Sequence, residues 1–211
     1  MSAISHHAPD ALLAAYASGN LGHPYALAVA AHISLCLDCR AAYEAHQAAG
    51  GAVLEGGGPA AMSAGRREAL LAMLDAPRKP EPAFRPSGIF PGPIMQALNG
   101  QPPRWRSLGM GNRQCILSAN RQGSSRLLYI APGQAVPEHS HNGLELTLVL
   151  QGSFSDSTGR FGVGDLEVAN DDLDHQPIAD EGAPCICLAA TDAPLRFSSL
   201  IPRLLQPIFR I

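Results

Sequence analysis

An imidazole and two thiols stand at His32-x3-Cys36-x2-Cys39. At helical periodicity positions 32, 36 and 39 fall close to one stripe, so a helix that runs through or ends in this stretch points all three side chains the same way. Thiolate and imidazole suit Zn²⁺, which takes four such ligands tetrahedrally in structural sites. One further donor is needed, and two adjacent histidines, His6 and His7, lie a helix upstream. Residue chemistry alone does not separate them. A zinc there would fasten the start of the first helix to the end of the second, a staple that opens if a thiolate is oxidised. Five cysteines, an odd number, in a chain without an export signal favour reduced thiols and metal ligation over a disulfide framework. A thioredoxin-type redox pair is disfavoured because no βαβ pattern surrounds the motif.

A second constellation follows in the C-terminal half: Gly133-x5-His139-x-His141-x3-Glu145-x6-Gly152, with His175 downstream. On a strand His139 and His141 share one face, and Glu145 returns to the same interior once the chain bends at Asn142-Gly143. Three imidazoles and a carboxylate converging inside a barrel would hold Zn²⁺, Mn²⁺, Fe²⁺ or Ni²⁺. The other polar features read as structural. Cys185 and Cys187 share a strand face as small buried residues, Cys115 is core, and His23 and His46 are surface or capping residues. The acidic run from Asn170 to Asp174 is a solvated turn.

These ligands need two kinds of scaffold. Leu12, Leu13, Tyr16 and Ala17 recur at helical spacing over residues 8–19, and a second helical run over 26–35 follows Pro24, which is tolerated near a helix start. Residues 40–48 continue helically. Gly50-Gly51 and then Gly56-Gly57-Gly58-Pro59 are expected to break the chain, closing a bundle of short helices. One more amphipathic helix spans 63–75, with Leu70, Leu71 and Leu74 on a face that lacks an internal partner. Prolines at 77, 80, 82, 86, 91 and 93 exclude helix and central strand, marking an interdomain linker. Beyond Trp105 short β-rich runs (115–118, 126–130, 145–150 and 185–189) alternate with turns, which implies an antiparallel sandwich or barrel. The organisation expected is a helical domain over 1–76, a proline-rich linker over 77–93 and a β domain over 94–211.

The whole chain, at 211 residues and 46% apolar, accommodates two small domains. A net charge of −3 without a basic stripe speaks against direct binding of nucleic acid. No apolar run approaches the roughly 20 residues that span a bilayer, and no signal peptide opens the chain, so a cytoplasmic location without a membrane partner is expected.

Together, His32-x3-Cys36-x2-Cys39, the His139/His141/Glu145 motif with its flanking glycines, and His175 resemble the ChrR-type zinc-binding anti-sigma factors, over essentially the whole chain. In that family the first zinc ligand lies 25 positions before the helical histidine, which selects His7. The resemblance implies a multidomain α plus β protein, a small zinc-stapled helical bundle followed by a cupin β-barrel of jelly-roll type. It further implies a non-enzymatic regulator. Such a protein binds a group IV (extracytoplasmic-function, ECF) sigma factor one to one, blocks its association with core RNA polymerase, and releases it on oxidative or singlet-oxygen stress sensed through the cupin. The expected metals are zinc at His7, His32, Cys36 and Cys39, and zinc or another divalent transition metal at His139, His141, Glu145 and His175. Asn170-Asp171-Asp172 stands where cupins carry P-x-G, and Ala179 replaces the usual asparagine, departures that spare the metal set but weaken an enzymatic role. The alternative is a metal-dependent, dioxygenase-like cupin enzyme with a helical regulatory domain.

Overall fold

The computed structural model describes residues 3–75, 77, 83–140, 143–171, 173–193 and 196–197. Five helices come first: α1 (Asp10–Ala17), α2 (His23–Ile33), α3 (Leu37–Glu55), α4 (Arg66–Leu74) and α5 (Gly92–Ala97). Twelve strands follow: β1 (Arg106–Gly109), β2 (Asn112–Asn120), β3 (Gly123–Ile130), β4 (His139–Ser140), β5 (Glu145–Gln151), β6 (Phe154–Ser155), β7 (Arg160–Phe161), β8 (Leu166–Ala169), β9 (Asp174–His175), β10 (Ile178–Ala179), β11 (Cys185–Thr191) and β12 (Arg196–Phe197). They form a six-stranded sheet in the order β1-β2-β3-β11-β5-β8 and two three-stranded sheets, β10-β6-β7 and β12-β4-β9. The pairings in all three sheets are antiparallel. The β half is thus the antiparallel cupin-like sandwich expected, with the four runs expected as strands lying in β2, β3, β5 and β11.

Strands β5 and β11 are buried along almost their whole length because both faces of the sheet are covered. Leu146, Leu148 and Leu150 of β5, with Ile186, Leu188 and Ala190 of β11, join a cluster that includes Leu27, Ala28, Val29 and Ala31 of α2. The alternate residues of β5, Glu145, Thr147 and Val149, face the barrel interior with Cys185 and Cys187. That two-sided burial is why the strands read as near-continuous apolar runs. Ala28 and Ala31 are fully buried, and their short side chains let α2 lie close on the sheet. Each leucine or valine so buried contributes about 1.5–3 kcal/mol, so the helices draw stability from the sheet as well as from any metal.

Gly152, in the β5–β6 turn, has φ +69°, and a Cβ there would meet the Pro184 carbonyl oxygen at 2.6 Å. Only glycine fits so tight a corner.

Two expectations are corrected. Helix α3 runs through Gly50-Gly51 to Glu55, where a break was expected. Each glycine costs a helix only about 1 kcal/mol, and Ala48, Ala49 and Ala52 flank the pair with the best helix former, so the chain breaks only at the Gly56–Gly58 run. Helix α5 begins at Gly92, inside the stretch expected to exclude helix. Pro93 occupies its first turn, where a missing N–H has no partner to lose, and Ile94 and Met95 bury in the core. Part of the stretch over 77–93 lies outside the described residues. Helix α4 matches the helix expected there and has no buried residue.

Candidate metal centre

His32 sits in the last turn of α2, Cys36 immediately precedes α3, and Cys39 lies in the first turn of α3. The ligand motif therefore straddles a sharp corner, with the axes of α2 and α3 bent by 119°. His7 precedes α1 and reaches this corner, its Nδ1 3.3 Å from Cys36 Sγ and 3.6 Å from Cys39 Sγ. One donor atom from each of His7, His32, Cys36 and Cys39 lies within 4.8 Å of all the others, a set that can hold a metal ion.

His32 is wholly buried. Its Nδ1 is 3.0 Å from the Gly164 carbonyl oxygen, which can only accept, so Nδ1 carries the proton and Nε2 the lone pair. Nε2 makes no hydrogen bond, a buried polar atom that fits metal ligation and little else. Burial lowers the His32 pKa, which keeps the imidazole neutral as ligation requires. Burial pushes the Cys39 thiol up to about 11, and a dication beside it would reverse that preference.

The structure separates the two adjacent histidines. The His6 ring packs on Phe161 with centroids 4.3 Å apart, and its Nδ1 lies 3.5 Å from Asp165 Oδ2. His7 alone of the pair joins the cluster. His46, expected as a surface or capping residue, pairs with Asp10 through Nε2 at 2.8 Å.

In the barrel the register of β4 on β9 sets His139 directly opposite His175. The His139 side chain and the whole of His141 lie outside the described residues. Glu145 and His175 are both buried and line one interior cavity of about 60 Å³, together with Thr147, Glu167 and Cys187. His175 Nδ1 lies 2.6 Å from Asp156 Oδ2 and 3.3 Å from Glu167 Oε1. Asp156, Glu167 and His175 also meet the geometric condition for a metal-binding group.

Sequence reading singled out neither carboxylate. Asp156 sits in a Ser-Asp-Ser-Thr-Gly turn that looks like any surface loop, whereas Glu167 left a usable signal as a lone charge inside the apolar run 166–169. Burial pushes Glu167 up to about 7. For Asp156 burial acts upward but is outweighed by hydrogen bonds from Glu167, Thr158 and His175, which hold it near 2. For His175 burial acts downward but is outweighed by Glu167 and Asp156, which raise it to about 9. His175 Nδ1 thus sits between two carboxylates, those of Asp156 and Glu167. The five cysteines are all free thiols and all buried, Cys115, Cys185 and Cys187 in the core as expected.

Fold and ligands together define a cupin-like barrel carrying a helical unit with two histidines and two cysteines at one corner. Residues 96–193 match the ChrR cupin-like domain. Over 211 residues the chain is 51% identical to the anti-sigma-E factor ChrR of Cereibacter sphaeroides, with 99% of each chain covered. A crystal structure of Rhodobacter sphaeroides SigE in complex with the anti-sigma ChrR matches with a TM-score of 0.80 and 48% identity, covering 90% of this chain and 99% of that one. This chain belongs to the ChrR family of anti-sigma factors. No single helix among the described residues is long and apolar enough to cross a membrane.

Proposed function

We propose that this chain is a zinc-dependent, cytoplasmic anti-sigma factor that binds one group IV sigma factor, keeps it off core RNA polymerase, and releases it under oxidative or singlet-oxygen stress sensed through the cupin. The observation that carries the reading is the whole-chain likeness to ChrR, which extends through both the helical and the barrel halves. Residues 1–76 form the sigma-binding unit, 77–93 the linker and 94–211 the cupin. Two imidazoles and two thiols at His7, His32, Cys36 and Cys39 are the donor set of tetrahedral structural zinc. Bound there, zinc supplies cross-linking and no reaction chemistry, tying the segment before α1 to the α2–α3 corner. Helix α4 supports the reading too, with Leu70, Leu71, Met73 and Leu74 between 47% and 80% exposed and therefore free to bury against a partner.

In the barrel His139, His141, Glu145 and His175 hold zinc or another divalent transition metal. Support comes from the His139–His175 register and from Glu145 sharing the His175 cavity. Asp156 at Nδ1 of His175 leaves Nε2 for ligation.

The test is co-purification of the full-length chain with each group IV sigma factor of its source genome, beside the Cys36→Ser/Cys39→Ser variant. Retention of a sigma factor by the wild type and its loss from the variant is expected, with the same pattern for inhibition of sigma-dependent transcription in vitro. Failure of the wild type to retain any of them sinks the reading.

A further inference from the structure

The turn over 162–165, between β7 and β8, belongs to the barrel but meets the N-terminal metal-ligand cluster. It is braced from behind by β5, since Gly164 N donates to the Val149 carbonyl at 2.9 Å and Val149 N donates to the Asp165 carbonyl at 3.1 Å. Within the turn, Gly162 N donates to Asp165 Oδ2 at 2.8 Å, fixing the carboxylate. From this platform the Gly164 carbonyl accepts from His32 Nδ1. Asp165 Oδ1 accepts the backbone N–H of Ser5 at 2.7 Å and of His6 at 2.9 Å, the two residues that lead into His7. Leu166 N then donates to the His6 carbonyl at 3.0 Å. Gly164 has φ +91°, and a Cβ added there would lie 2.6 Å from Ile4 Cδ1, so the N-terminal segment is laid tightly across the turn.

Resting on the metal-binding part of the proposed function, we infer that this barrel turn completes the N-terminal metal centre. Gly164 and Asp165 are positioning residues, the first setting the tautomer and ring orientation of His32, the second pinning the backbone that delivers His7. Three of the backbone polar groups of residues 5 and 6 are spent on the turn and on β8, so His7 has little freedom to leave the cluster. Partners that orient a metal-bound histidine are worth about 10–100-fold in metal affinity. The hold on the N-terminal metal is therefore a property of the whole chain and not of residues 1–76 alone. Two residues beyond Asp165, Glu167 of β8 meets His175 inside the barrel, so the turn and the strand that follows it together reach both ligand sets.

The experiment loads the full-length chain with Co²⁺ and follows the near-ultraviolet thiolate-to-cobalt band, which reports the Cys36/Cys39 centre and not an oxygen- and nitrogen-ligated barrel site. Chelator titrations compare wild type, Asp165→Ala, Asp165→Asn and Asp180→Ala, the last removing a carboxylate that serves Ser153, Ser155 and Arg160 elsewhere in the barrel. Asp165→Ala is expected to lose the band at about 10–100-fold less chelator, Asp165→Asn to fall between because it keeps one acceptor oxygen, and Asp180→Ala to behave as wild type. A band retained as well in Asp165→Ala as in wild type overturns the inference, and if Asp165→Ala does not fold by circular dichroism, Asp165→Asn decides in the same assay. Absence of the band from the wild type overturns the metal centre itself, whatever sigma binding shows.

Discussion

The Tyr25 hydroxyl donates to the carbonyl oxygen of Leu144 at 2.6 Å, joining helix α2 to the residue that precedes Glu145. Burial first, and then the Asp192 carboxylate, raises the Tyr25 pKa, so the phenol stays a protonated donor at any physiological pH. One helix thus carries a metal-ligand candidate, His32, near its C-terminal end and a direct bond to the residue before β5 near its N-terminal end.

Tyr25→Phe deletes that bond while keeping the ring that packs in the core. Loss of one partly buried hydrogen bond costs about 1 kcal/mol, which for a chain of this size lowers Tm by about 2–4 °C. Thermal unfolding followed by circular dichroism measures it, and an unchanged Tm would show that water replaces the phenol without cost.

Leu188 is fully buried where β11 meets the helical layer. Leu188→Ala is expected to cost about 2–5 kcal/mol, through lost transfer energy and the cavity left behind. Because the cluster includes residues of α2, β3, β5 and β11, the helices and the barrel should melt in one transition that shifts as a unit. Calorimetry resolving two transitions, only one of them moved by the mutation, would refute a shared core.

Acid should undo the bracing of the N-terminal segment. For Asp165 burial acts upward but is outweighed by the Gly162, His6 and Ser5 amides, so its folded pKa lies below the ordinary 3.8. A carboxyl with a depressed folded pKa binds fewer protons when folded, so its contribution is complete above the unfolded pKa and fades as pH falls through the folded one. The wild-type chain should therefore lose stability below about pH 4 more steeply than Asp165→Asn, in which that proton uptake is absent. Urea midpoints measured across pH 3–6 for the two chains test the difference in slope.

Much of this architecture was legible because it rests on short-range pattern. His32, Cys36 and Cys39 announce themselves by residue type and spacing, and the runs at 145–150 and 185–189 by near-continuous β-branched and apolar residues. What escaped depends on contacts distant in sequence. Nothing local at Asp156 or Asp165 reveals that one carboxylate meets His175 and the other caps Ser5 and His6, because those partners are 19, 160 and 159 residues away. Residue chemistry left His6 and His7 open and only the family resemblance selected His7, because the Phe161 ring and Asp165 that claim His6 come from the barrel. Gly50-Gly51 misled in the opposite direction, a local break signal overruled by the alanines around it.

Helix α4 is the element whose sequence and surroundings disagree most. Its apolar residues are too exposed to stabilise the isolated chain, so Leu71→Asp and Leu74→Asp should leave Tm unchanged within about 0.5 kcal/mol of stability. If α4 buries against a sigma factor, each aspartate is then forced into an apolar contact, and affinity should fall by about 10–100-fold, equivalent to about 1.4–2.7 kcal/mol. The two readouts separate the possibilities cleanly, because no residue of α4 is buried and its folding role is small. Unchanged sigma affinity alongside unchanged Tm would remove Leu71 and Leu74 of α4 from the interface.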